Sequence, residues 1–87
     1  MRHAREDYDR IQDPLNLIAS DEPVFLLRAK DETAPKIVRA WAAEQRGSEG
    51  GDIEAARLAD YWAEVMEIWQ ENNGSKMPDL PPAYRLP

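Results

Sequence analysis

Two stretches of this chain carry apolar residues at helical spacing. In the first, Ile37, Val38, Trp41 and then Gln45 fall three and four apart, with Ala40, Ala42 and Ala43 filling in. Thr33 is placed to cap such a helix, Pro35 sits at its second position where no N–H is needed, and Arg46-Gly47 ends it. In the second, Leu58, Trp62, Val65, Met66 and Trp69 lie on one stripe, widened by Ala55, Ala59, Tyr61 and Ile68. Asp52 caps this helix, which is predicted to run to about Asn72 before Asn73-Gly74 closes it. The intervening Gly47-Ser48-Glu49-Gly50-Gly51 reads as a short flexible connector, so an antiparallel helical hairpin is the natural arrangement. Trp41, Trp62 and Trp69 are the expected anchors of its core.

The remaining segments read less plainly. Asp13-Pro14 is a helix-start signature, and Leu15-Asn16-Leu17-Ile18 behind it predicts a short N-terminal helix of one to two turns. Pro23 to Ala29 reads as a β-strand, because Val24, Phe25, Leu26 and Leu27 are consecutive apolar residues and Pro23 suits a strand's first position. A lone strand cannot satisfy its own N–H and C=O groups, so the N-terminal arm or a second copy must pair with it, or the segment is helical. Residues 75–87 hold four of the seven prolines and are predicted to run extended, partly as polyproline II. Met77, Leu80, Tyr84 and Leu86 give this tail apolar groups with which to dock. The expected organisation is a flexible charged arm over residues 1–12, a small helical domain over 13–74 and an extended Pro-rich tail over 75–87. The fold class is mainly α.

Composition narrows the chemistry. The chain has 87 residues, a mass of 10.0 kDa and a net charge of −6. That length supports one thin core. The acidity argues against unaided binding to nucleic acid or to an anionic membrane. No cysteine is present and there is one histidine. Disulfides, thiolate sites, His-based zinc sites and His-dependent triads therefore have no basis. No stretch approaches the roughly 20 apolar residues of a membrane span. The charged start, with no apolar run of signal-peptide length behind it, and the lack of cysteine lead to an expected cytoplasmic or virion-associated location. The charge is uneven: residues 47–87 hold three basic and eight acidic groups, residues 1–46 eight and nine.

That asymmetry directs attention to Asp60, Glu64, Glu67 and Glu71, whose spacings of four, three and four put them on one face of the long helix. Such a row can meet a basic partner, imitate the phosphates of nucleic acid or contribute ligands to a divalent cation; equally, it is the solvated face that amphipathicity requires. None has a Lys or Arg at i+4, and Glu67 and Glu71 sit toward the helix's negative end. Lys36 and Arg39, with Arg28 and Lys30, form a weak basic set better explained by pairing with neighbouring acids. Pro81-Pro82-Ala83-Tyr84 resembles a WW-domain ligand, a four-residue pattern frequent by chance. His3 lies in the charged arm, Ser20, Ser48 and Ser75 lie in loops without a base, and Gly47-x-x-Gly50-Gly51 is too acidic to attract phosphate. The expectation is therefore a chain without enzyme activity, cofactor or metal.

The run Glu22-Pro23-Val24-Phe25-Leu26-Leu27-Arg28-Ala29-Lys30-Asp31, followed by Ala34-Pro35 and Val38-Arg39-Ala40-Trp41-Ala42, resembles a group of small phage- and prophage-type proteins, chiefly of proteobacteria. Met66-Glu67-Ile68-Trp69 and Pro78-Asp79-Leu80-Pro81 match the second-helix ending and the tail of that group. The resemblance covers roughly residues 13–82. It implies a phage or bacterial setting, assigns no activity, and lowers the weight of a WW ligand. The function expected from all of this is a non-enzymatic, small protein-interaction protein that docks on another protein or on itself, through Val24–Leu27 or its exposed helix faces. The alternative is an acidic inhibitor that occupies a nucleic-acid-binding groove through Asp60, Glu64, Glu67 and Glu71. A DNA-associated regulator using Lys36 and Arg39 is the weakest reading.

Overall fold

A computed structural model of the chain describes residues 2–3 and 13–87. Two helices dominate it, α1 (Ala34–Gly47) and α2 (Ile53–Asn73), packed on each other as the expected hairpin. Arg39 of α1 pairs with Glu67 of α2, and Arg46 pairs with Asp60. The order reverses between the helices, which fixes them as antiparallel. No described helix is long and apolar enough to cross a membrane.

Local chemistry sets each helix end. Thr33 is the residue before α1, but its side chain makes no capping bond. Instead, the Asp31 carboxylate accepts from the Thr33 N–H at 2.8 Å and from the Thr33 hydroxyl at 2.7 Å. Asp31 thus holds Thr33, the residue before the helix, in place, while no side chain caps the first-turn N–H groups of α1. Asp52 caps α2 as expected, accepting from the Ala55 N–H at 3.0 Å. The connector is tied down rather than free. The Gln45 side-chain oxygen accepts from the Asp52 N–H at 3.1 Å, and Gly51 donates to the Ser48 carbonyl at 3.0 Å. A Cβ at Gly51 would lie 1.8 Å from the Gln45 carbonyl oxygen, so only glycine fits there.

The other end of the hairpin is closed by two strands of chain and one side chain. Lys76 donates to the Lys30 carbonyl at 3.0 Å, and Glu32 donates to the Lys76 carbonyl at 2.9 Å, forming a parallel bridge at Asp31 and Lys76. Gln70 reaches from α2 and donates to the Ala29 carbonyl at 2.9 Å and to the Asp31 carbonyl at 3.0 Å. Gly74, at φ +79°, ends α2 and sends the chain toward this bridge. Arg28–Pro78 forms a compact unit by itself.

The core of this unit is not aromatic. The fully buried hydrophobic residues are Ala34, Ala42, Ala56 and Ala63, each 0% exposed. Trp41 is 49% exposed, Trp62 51% and Trp69 40%. The expectation that these three anchor the core is therefore corrected. Small side chains at the seam let the two helices approach closely. An indole on the flank of so close a pair has only one helix surface to lie against.

The described part of Met1–Leu27, with Asp79–Pro87, makes the second unit. Where a short N-terminal helix was expected, there is a single turn. Asn16 donates to the Asp13 carbonyl, and the Asp13 carboxylate accepts from the Leu17 and Ile18 N–H groups, all at 3.0 Å. Asn16 at φ +52° stops the helix from propagating. The strand expected over 23–29 shrinks to β2 (Pro23–Val24), paired in parallel with β1 (Arg2–His3). Residues 25–28 belong to no described strand. The flexible arm expected over 1–12 falls, apart from Arg2 and His3, outside the described residues. In the tail, Pro82–Tyr84 forms one 3₁₀ turn within otherwise irregular chain.

An alanine seam and an aromatic core respond oppositely to mutation. Ala63→Leu overfills the seam and is expected to cost about 1–3 kcal/mol. Trp62→Ala is expected to cost less than the roughly 3–5 kcal/mol of a buried aromatic. Urea unfolding of both variants measures this; a full core-scale loss for Trp62→Ala with a silent Ala63→Leu would contradict the seam.

Candidate functional site

The acidic stripe divides once its surroundings are known. Asp60 and Glu67 lie at one edge of the helix seam, where Arg46 and Arg39 meet them. The Arg46–Asp60 bond is 2.6 Å, and the Arg39–Glu67 pair forms the next rung two turns along both helices. Within α2 these acids have no i+4 cation, as the sequence indicated; their partners stand on α1. The signal was present in the equal spacing of seven between Arg39 and Arg46 and between Asp60 and Glu67. Glu64 and Glu71 are exposed, and their carboxylates have no ion pair or hydrogen bond among the described residues.

Beside this ladder lies an open cleft of about 320 Å³, lined by Glu32, Pro35, Lys36, Arg39, Glu67 and Gln70. It contains Lys36 and Arg39, two members of the weak basic set. Two carboxylates share the cleft with them, Arg39 is already engaged by Glu67, and Gln70 is committed to two carbonyls. Its charges cancel, so it holds no net attraction for an anion. Among the described residues, no group of three or more His, Cys, Asp or Glu could hold a metal ion.

The opposite flank of the seam differs in kind. Helical spacing puts Ile37 and Trp41 on the side of α1 away from Arg39 and Arg46, and puts Trp62 and Trp69 on the side of α2 away from Asp60 and Glu67. Leu58, Tyr61 and Ile68 extend this flank around α2. All seven are exposed large hydrophobic residues, with Val65 and Met66 half-buried among them. Tyr61 and Trp62 meet edge to face, with ring centroids 5.5 Å apart at 84°. Lys30 places its Nζ 6.0 Å from the centroid of the Trp69 ring. The result is an apolar band with rigid aromatic members. Sequence pattern alone identified these residues as apolar and assigned them to the core. It could not tell that alanines would take the seam.

Val24–Leu27, the other candidate segment, lies in the second unit. Val24, Leu26 and Leu27 are half-buried, and Phe25 is 72% exposed. Compared with known protein families, characterised proteins and solved structures, the chain matches none.

The ion-pair ladder is solvent-exposed, with side chains 35–47% accessible, so it selects register more than it supplies stability. A double-mutant cycle on Arg39→Ala and Glu67→Ala is expected to give a coupling below about 1 kcal/mol that shrinks with added salt. A larger, salt-insensitive coupling would make the ladder a mainstay of the hairpin.

Proposed function

We propose that this chain is a non-enzymatic protein-interaction module whose hairpin docks on another protein through the apolar flank of its seam. One observation carries the reading: Trp41, Trp62 and Trp69 stand 40–51% exposed on a single flank, with Ile37 and Leu58 beside them. Exposed aromatic groups on a monomer are costly to hydrate, and contiguous apolar surface of this kind marks interaction sites. Tryptophan in particular supplies much contact area for little lost freedom, which is why it dominates binding hot spots. The seam positions these side chains without needing them for closure, and so leaves them available. The resemblance to phage- and prophage-type proteins supports a setting in a bacterial host or a virion, with the module acting as an accessory or structural component. Phe25 and its neighbours would add a second contact.

The acidic-inhibitor reading retains Glu64 and Glu71 alone, since Asp60 and Glu67 are neutralised by α1. Two carboxylates seven residues apart are a thin imitation of a phosphate backbone.

The test is capture with the immobilised chain against a Trp41→Glu, Trp62→Glu double variant whose helicity by circular dichroism matches the wild type. A protein, or a second copy, retained by the wild type and lost by the variant is expected. Equal retention, or none above background, would overturn the reading.

A further inference from the structure

The closure at the open end of the hairpin depends on a short run of chain. Gly74 donates to the Gln70 carbonyl at 2.7 Å, and the Asn73 side-chain amide donates to the Trp69 carbonyl at 3.0 Å. Only Gly74 and Ser75 then separate α2 from Lys76, whose N–H and carbonyl make the bridge to Lys30 and Glu32. Gln70 serves both halves of the fastening, because its backbone carbonyl holds Gly74 and its side chain holds Ala29 and Asp31. The last turn of α2 is poorly secured against opening. It carries Glu71 and no basic residue, so a carboxylate sits at the negative end of the helix. Asn72, Asn73 and Gly74 have low helix propensity, and helix ends open at small cost.

Asn73 and Gly74 are both exposed. The nitrogen of a glycine is the least hindered nucleophile that a backbone offers, and no atom lies within 4 Å of where a Cβ of Gly74 would stand. Neither of the other asparagines has this neighbour: Asn16 precedes Leu17, and Asn72 precedes Asn73. We infer that Asn73-Gly74 is a site of spontaneous deamidation, at which water replaces the Asn73 amide and unfastens the hairpin's closure. When the last turn opens, the two hydrogen bonds that protect the site break together. The Gly74 nitrogen then attacks the Asn73 Cγ. A bond from that nitrogen to Cγ forms, the bond from Cγ to Nδ2 breaks, and the amide leaves as ammonia with the Gly74 proton. Water opens the resulting cyclic imide at either carbonyl and returns a proton to the nitrogen, leaving aspartate or isoaspartate with no change of oxidation state. Aspartate adds a carboxylate beside Glu71 at the negative end of α2 and removes the donor to Trp69. Isoaspartate also inserts a methylene into the backbone immediately before the Gly74 nitrogen. That displaces the Gly74 N–H from the Gln70 carbonyl, with only Ser75 between the shift and the Lys76 bridge.

The experiment ages the full chain at mildly alkaline pH, with and without urea. Peptide mapping by mass spectrometry reads the loss at each asparagine, and an isoaspartyl methyltransferase labels isoaspartate. Asn73 is expected to convert in the native chain while Asn16 and Asn72 stay intact, and to convert faster in urea, where the turn is open throughout. Gln70→Ala, with helicity matched by circular dichroism, frees the entry segment and should move the native rate toward the urea rate. Asn73→Gln, whose longer side chain closes the ring poorly, should block the reaction. Hydrogen exchange at the Glu32 and Lys76 amides should rise at least about fivefold in the aged chain, and not in aged Asn73→Gln. Conversion of Asn73 in urea alone overturns the inference, as does equal loss at Asn16 or Asn72. A Gln70→Ala chain that converts no faster overturns the link to the closure. Converted Asn73 with Glu32 and Lys76 exchange unchanged overturns the unfastening.

Discussion

The methyl groups of Ala34, Ala42, Ala56 and Ala63 occupy the place where a helical hairpin of this size would ordinarily bury its largest side chains. Two helices meeting through alanine lie close, and close helices have little room between them for an indole. The choice at the seam therefore decides the fate of both flanks. Each buried methyl contributes only about 0.8 kcal/mol, so the seam specifies geometry more than it supplies stability. Half-buried Val38, one turn from both Ala34 and Ala42, adds to it, as do the two hydrogen-bonded closures at the hairpin's ends.

The flanks then separate by chemistry. On one, Arg39 and Arg46 of α1 meet Glu67 and Asp60 of α2, two rungs whose matched spacing admits the antiparallel register and opposes a slip. On the other, tryptophans, tyrosine and isoleucine stand half in solvent. Gln70 links these features to the chain outside the helices. By holding the carbonyls of Ala29 and Asp31, it fixes the segment that delivers Lys30 to the ring of Trp69. This amide, together with the backbone bonds of Lys76 to Lys30 and Glu32, closes the open end of the hairpin and holds the segment that carries Lys30.

Much of this was legible from sequence because it is local. The caps, the glycine ends and the 3.6-residue period fix both helices to within a residue or two, since each depends on groups a few positions apart. What was not legible depends on which face of each helix meets the other. Leu58, Trp62 and Trp69 form the stronger apolar stripe, yet Ala56 and Ala63 take the seam; periodicity ranks faces by hydrophobicity and is blind to how near two backbones can come. The partners of Asp60 and Glu67 were missed for the same reason, because an i+4 rule looks along one helix and not across to the next. Asp13 and Pro23 carried genuine local signals, but Asn16 in the left-handed region stops the first element after one turn, and the strand from Pro23 ends at Val24.

The central claim is that the tryptophans border the hairpin's core without filling it. Acrylamide quenching of the three indoles in the native chain, at a concentration where sedimentation gives a monomer, tests this most directly. The account predicts that all three are quenched at a substantial fraction of the rate seen in the unfolded chain, with emission near that of hydrated indole. Three indoles shielded from quencher in the folded monomer, with blue-shifted emission, would contradict it.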